Sequence, residues 1–150
     1  MKVCVGGTFD ILHKGHKILL DKAFQVAGKK GFVYIGMASD NLSRKKQDIN
    51  KYNIREKKLK KYIFEKEFSN SFSIIKINTK YGLAIEEKYD AIIVSPETYK
   101  IAEQINKKRA KLGKNNLKIY KIPFVIAEDG KPISSTRIRN KEINKEGKLL

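Results

Sequence analysis

Five short runs rich in β-branched and aliphatic residues punctuate the chain: Lys2 to Gly6, Phe32 to Met37, Phe72 to Ile77, Ala91 to Val94 and Leu117 to Ile122. Their composition predicts strands. The first and fourth are apolar without clean alternation, as expected of central strands covered on both faces. Between the runs, Leu20, Ala23, Phe24 and Ala27 recur at helical spacing, as do Leu59, Tyr62 and Ile63, and later Ile101, Ile105 and Leu112. Strands alternating with amphipathic helices predict an α/β fold, a Rossmann-like doubly wound sheet of five parallel strands. Gly28 and Gly113 stand where helix C-terminal caps are wanted, and Pro96 precedes a helix expected to begin near Glu97. A further turn of helix is expected over Gly82 to Lys88. No repeat, low-complexity tract or interdomain linker breaks the pattern, so residues 1–150 read as a single domain. One stretch stands apart: Ser39 to Asn53 is a polar, lysine-rich loop of unusual length, and such loops often close over a ligand.

Charge changes the picture less than its size suggests. With 33 lysines and arginines against 16 acidic residues, the chain carries a formal +17 and a pI near 9.9. A nucleic-acid-binding protein would gain affinity from such a surface by counterion release. The lysines, however, spread over helices and loops without forming one stripe with interleaved aromatics, and abundant isoleucine, asparagine and tyrosine beside them match AT-rich coding. A smaller phosphate-bearing ligand would profit from the same field. The one cysteine, Cys4, permits no internal disulfide or sulfur-rich zinc site and reads as a small core residue. The chain runs straight into its first strand, with no apolar stretch long enough for a signal peptide or a membrane span, so a cytoplasmic protein is expected.

Chemistry concentrates after the first strand, in Val5-Gly6-Gly7-Thr8-Phe9-Asp10-Ile11-Leu12-His13-Lys14-Gly15-His16, with an amphipathic helix following at once. Ligands of open parallel sheets settle at the carboxyl ends of strands, where a helix N-terminus offers free N–H groups to phosphate. Gly6 and Gly7 permit close backbone approach, Thr8 adds a hydroxyl, and His13 and His16 stand three apart with Gly15 leaving room between them. Each feature has a plainer explanation: a glycine pair is commonly just a turn, and histidines can be solvated or bind metal. Zinc is disfavoured because helical zinc pairs use i, i+4 spacing and no glutamate separates these two. A dinucleotide fingerprint lacks its third glycine. Phosphate chemistry is what survives, and no metal site is assigned to protein side chains.

His13-Lys14-Gly15-His16 resembles the histidine-any-glycine-histidine signature of a nucleotidyltransferase superfamily, and Pro132-Ile133-Ser134-Ser135-Thr136-Arg137-Ile138-Arg139 resembles its second, Ile-Ser-Ser-Thr element. Within that superfamily the chain is most similar to the archaeal type of phosphopantetheine adenylyltransferase. The similarity runs on through Ile35-Gly36-Met37-Ala38-Ser39-Asp40, Val94-Ser95-Pro96-Glu97-Thr98 and Ala127-Glu128-Asp129-Gly130, so nearly the whole chain is covered. Ile11 departs from it, standing where relatives commonly have proline.

The resemblance implies transfer of AMP from ATP to 4'-phosphopantetheine by direct in-line attack, with magnesium travelling on the ATP. It implies that His16 is the principal donor to the α-phosphate, that His13 assists, and that Thr8 orients the attacking phosphate. Gly7, Phe9, Ser134, Ser135 and Thr136 complete the ATP site, with Arg137 reaching the leaving pyrophosphate and Arg139 facing away. Lys46 is the expected mobile cation between acceptor and ATP, Lys45 or Arg44 its substitutes and Arg55 a weaker candidate. Glu97 and Thr98 are placed near adenine or pantetheine, with Glu97 equally suited to stabilising a helix N-terminus. Asp10 is expected to hydrogen-bond the backbone of its own loop, and the tail from Lys141 to Leu150 reads only as a charged end. Rival readings in the same class are adenylyl transfer to FMN or nicotinamide mononucleotide, and cytidylyl transfer to a polyol phosphate. A lysine-rich nucleic-acid-binding protein is the rival outside it.

Overall fold

The computed structural model describes residues 1–44, 48–68 and 70–150. Five parallel strands form one sheet: β1 (Lys2–Gly7), β2 (Phe32–Ala38), β3 (Ser71–Ile77), β4 (Ala91–Val94) and β5 (Lys118–Lys121), in the order β3-β2-β1-β4-β5. All five expected strands are present, β4 with the expected bounds and no end of the others shifted by more than one residue. Helices α1 (Lys14–Ala27), α3 (Tyr52–Lys66) and α4 (Tyr99–Lys111) provide the main cover, and α2 (Asp40–Ser43) and α5 (Ser135–Arg139) are short.

The order fixes where a ligand can enter. The chain runs outward from β1 to β2 and β3 and then crosses back to β4 on the other side of β1, and the crevice at the carboxyl ends of β1 and β4, where the winding reverses, is the usual ligand position in such sheets. Below it, α1 and α3 bury Leu20, Ala23, Phe24, Leu59 and Ile63 against Val3, Val5, Val33, Ile35 and Ile93. On the other face Ala102 and Ile105 of α4 pack with Cys4, Ile92, Val94 and Leu117. Cys4 is thus a core residue, and burial pushes its thiol up to about 12.

Several expectations need correction. The polar stretch after β2 is not one loop, because Ser39 caps α2 by accepting from the Leu42 N–H, and Tyr52 and Asn53 already belong to α3. Helix α4 starts at Tyr99 and not near Glu97: the Thr98 hydroxyl accepts from the Ser95 N–H and holds residues 95–98 in a turn. Leu112 ends up 58% exposed just past that helix, so its place in the apolar period is coincidental. Over Gly82 to Lys88 the expected turn of helix is present only as a single one, the Glu87 N–H donating to the Leu83 carbonyl at 3.0 Å within the consecutive turns of residues 80–86, and Arg109, buried in α4, donates to the carbonyls of Ala84, Ile85 and Glu87. The tail is also more than a charged end. Ile143 is fully buried in a third cluster with Ala127 and Ile133, and Lys145 accepts a hydrogen bond from the Lys14 N–H at the start of α1.

Candidate functional site

A cavity of about 930 Å³ opens at the carboxyl edge of the sheet. Gly7, Thr8, Phe9, His13 and His16 line it, and so do Ser134, Ser135, Thr136 and Arg139. Two motifs more than a hundred residues apart in sequence therefore share one space, large enough for two substrates of moderate size. Ser95, Glu97 and Thr98, from the turn after β4, line it as well.

Local geometry explains the histidine signature residue by residue. His13 is the N-cap of α1, its Nδ1 accepting from the N–H groups of Gly15 at 3.0 Å and His16 at 3.3 Å. A ring nitrogen that accepts carries no proton, so the neutral His13 ring bears its hydrogen on Nε2. Burial, helped by the nearby charge of His16, pushes the His13 pKa down to about 3, and the ring stays neutral at ordinary pH. Gly15 is required for this cap: a Cβ there would lie 2.8 Å from His13 Cε1.

His16 stacks on His13 with ring centroids 3.8 Å apart and 19° between planes. Its Nδ1 lies 2.8 Å from the Ile11 carbonyl oxygen, a contact that only a protonated Nδ1 makes. The His13 N–H approaches the same nitrogen at 3.5 Å, which needs the opposite tautomer, and the shorter contact decides. With Nδ1–H committed to Ile11, Nε2 carries a hydrogen to donate only when the ring is cationic. The two imidazoles are thereby different tools, His13 a neutral donor through Nε2 and His16 a donor there only in its cationic form. This contact uses the backbone carbonyl of Ile11 and does not depend on the side chain at that position.

Phe9 is fully buried with φ 51°, a left-handed backbone that bulky residues seldom adopt. Its ring tilts against His16 at a centroid distance of 5.3 Å and lies 3.0 Å from where a Cβ on Gly7 would stand. Gly7 therefore serves to admit that ring.

On the opposite wall Ser134 is the N-cap of α5, accepting from the Arg137 N–H at 3.2 Å, which leaves its own O–H available as a donor. The two arginines exchange their expected places. Arg137 is bound to Asp129, to Glu142 and to the carbonyls of Lys131 and Pro132, and it is not among the cavity lining. Its guanidinium hydrogen bond holds the Asp129 carboxyl below the usual range. Arg139 faces inward, donating to Asp10 Oδ2 at 2.8 Å and to the Thr136 hydroxyl at 3.3 Å. The reason is the tight turn of the short helix: Arg137 falls on the side of the Ala127–Lys131 turn and Arg139 on the side of β1.

Asp10 does not bond its own loop either. Its Oδ1 accepts from the Asn50 N–H at 2.8 Å, far along the chain, and it is 3% exposed. Arg55 is no mobile cation but a fully buried group held by backbone carbonyls. Arg44 is exposed beyond α2 and does not line the cavity, while Lys45 and Lys46 lie outside the described residues. Sequence reasoning missed the inward role of Arg139 and the buried junction of Asp10, Asn50 and Arg55. The one available signal was an arginine four positions past the cavity-wall serine at 135. Among the described residues no group of three or more His, Cys, Asp or Glu side chains stands ready to hold a metal ion, and no helix is long and apolar enough to cross a membrane.

Comparison with known proteins agrees with this geometry. Residues 4–141 match the Cytidylyltransferase-like family. The phosphopantetheine adenylyltransferase of Methanosarcina acetivorans is 48% identical over 149 residues, covering 99% of this chain and 95% of that protein. That of Archaeoglobus fulgidus is 41% identical, with both chains covered in full. A crystal structure of a protein of unknown function from Archaeoglobus fulgidus superposes with a TM-score of 0.74 at 37% identity, covering 81% of this chain and 89% of that one.

Proposed function

This chain belongs to the cytidylyltransferase-like family and, within it, to the archaeal phosphopantetheine adenylyltransferases, and on that premise we propose that it transfers AMP from ATP to 4'-phosphopantetheine. The products are dephospho-coenzyme A and pyrophosphate. The observation that carries the reading is the convergence of the His13 and His16 wall with the Ser134 to Thr136 wall on one cavity.

An oxygen of the acceptor phosphate attacks the α-phosphorus of ATP, and the bond from that phosphorus to the bridging oxygen of the β-phosphate breaks on the opposite side. The protein forms no covalent bond. It supplies alignment and donors aimed where negative charge grows. Cationic His16 meets the α-phosphate as phosphorus becomes five-coordinate, neutral His13 donates through Nε2 to the phosphate chain, and Thr8 orients the acceptor phosphate. The hydroxyls of Ser134, Ser135 and Thr136 cradle the β- and γ-phosphates, and Arg139, in place of Arg137, is the guanidinium beside the leaving pyrophosphate. Lys46 is the proposed cation joining acceptor and ATP. Magnesium arrives as part of the MgATP substrate, keeping most of its water and asking for no protein cage. A lone buried cysteine and ATP as co-substrate support a cytoplasmic place of action.

The test is a pyrophosphate-release assay that crosses ATP and CTP with 4'-phosphopantetheine, FMN, nicotinamide mononucleotide and a polyol phosphate. Release is expected with ATP and 4'-phosphopantetheine. Release with another pairing alone, or polynucleotide binding without release, refutes the proposal.

A further inference from the structure

A guanidinium has five N–H groups, and in Arg55 each one has an acceptor. Nε donates to Asn50 O at 2.8 Å, Nη1 to Thr8 O at 2.9 Å and Ala38 O at 2.8 Å, and Nη2 to Asp40 Oδ1 at 3.2 Å and Ser43 Oγ at 3.5 Å. The side chain is wholly buried in the first turn of α3, and its carboxylate partner, Asp40, is half exposed. A buried cation directed mostly at carbonyls is a costly way to fill space, so what it holds is informative.

It holds the turn that carries the chemistry. Thr8 O is the carbonyl immediately before Phe9, whose left-handed φ of 51° persists only where the surroundings over-determine it. The Phe9 ring in turn packs against His16. Beside it the Asn50 backbone is held at both of its polar groups, its N–H donating to Asp10 and its C=O accepting from Arg55, which closes the Thr8 to Asp10 turn against the start of α3.

We propose that Arg55 is a positioning residue for the transfer reaction: through the Thr8 carbonyl it sets the Thr8–Phe9 peptide, and so the placing of the Thr8 hydroxyl and of the ring behind His16, without touching either substrate. The inference rests on the adenylyl-transfer reading.

The experiment measures kcat for pyrophosphate release from ATP and 4'-phosphopantetheine, ATP affinity by titration calorimetry and thermal unfolding, in wild type and Arg55→Lys. Lysine keeps the charge and the stem but cannot reach three carbonyls together. The expected result is a kcat lower by about 10²-fold, the cost of a misplacement near 1 Å, with ATP affinity within about threefold of wild type. Guanidinium ion added to Arg55→Ala should recover part of the lost kcat. A purely structural role predicts a lower Tm with kcat intact in the folded protein, and that outcome overturns the proposal. Should Arg55→Lys fail to fold, Asp40→Asn decides, since it keeps the acceptor for the Tyr52 N–H and removes only the countercharge. A severalfold fall in its kcat at constant ATP affinity supports the proposal, and an unchanged kcat overturns it. An inactive wild type sinks the functional reading and this inference together, whereas an active wild type with an unimpaired Arg55→Lys sinks this inference alone.

Discussion

Asp10 and Arg139 are 129 positions apart in the chain, yet the carboxylate Oδ2 of one accepts from the guanidinium Nη1 of the other at 2.8 Å. Both line the cavity, and the pair joins the turn after β1 to the helix that presents the serine wall. It thereby fixes the separation of the two surfaces between which a triphosphate must fit.

Asp10→Asn keeps an acceptor for the Asn50 N–H but discharges the pair. It should destabilise the fold by about 1.5–3 kcal/mol, the range for hydrogen bonds to charged groups, and weaken ATP binding. A double-mutant cycle with Arg139→Gln, read by calorimetric titration of ATP, should give a coupling of similar size. Strict additivity would mean that the two residues act on ATP separately.

His16→Ala should lower kcat far more than it weakens ATP binding, because a cationic donor at the α-phosphate gains most when charge accumulates in the transition state. A drop of about 10²- to 10³-fold is the scale for one lost oxyanion donor. Comparable losses in ATP affinity and in kcat would show instead a ground-state contact.

The His13 cap makes stability depend on pH with a definite sign. The folded-state pKa of about 3 lies below the ordinary histidine value of 6.5. Between those values the unfolded chain binds a proton that the native state refuses, so stability is complete above pH 6.5 and falls as the pH drops below it, by up to about 1.4 kcal/mol per unit. His13→Asn retains a capping oxygen and lacks the titration. From pH 6.5 to 5, above the carboxylate range, wild type should lose up to about 2 kcal/mol relative to this variant in denaturant unfolding. Parallel pH curves would contradict the assigned tautomer.

Ile143→Ala empties a fully buried site in the small cluster under Ile133. The expected cost is about 2–5 kcal/mol, and since Ile133 leads directly into the serine wall, ATP affinity should fall as well. A variant with lowered Tm but unaltered ATP affinity would show that the tail supports the fold alone.

How much of this was legible beforehand depended on the range of the interaction concerned. The strands at Lys2 to Gly6 and Ala91 to Val94 and the helical faces of Leu20, Phe24, Leu59 and Ile105 declare themselves, because burial of a continuous apolar run or a 3.6-residue stripe is written in local composition. Likewise, histidine-any-glycine-histidine is a local device: His13 caps the helix it precedes, Gly15 clears space for its ring, and His16 lies one turn on. Everything needed to form the His13 cap sits within four consecutive residues.

What position alone could not assign was direction and partnership. Arg137 and Arg139 are two residues apart on a single turn of helix, and only the placement of that helix between the Asp129 turn and Asp10 decides which guanidinium faces the cavity. Arg55 reads as one more solvated charge until α3 packs on the sheet and brings it under the carbonyls of Asn50, Thr8 and Ala38. Sequence thus determined the five strands, the faces of the three long helices and the motif residues, since these follow from local periodicity and capping. Tertiary structure decided which charges are buried, which pair and which turn inward, since a charge is matched by whatever distant groups folding places within about 3 Å of it.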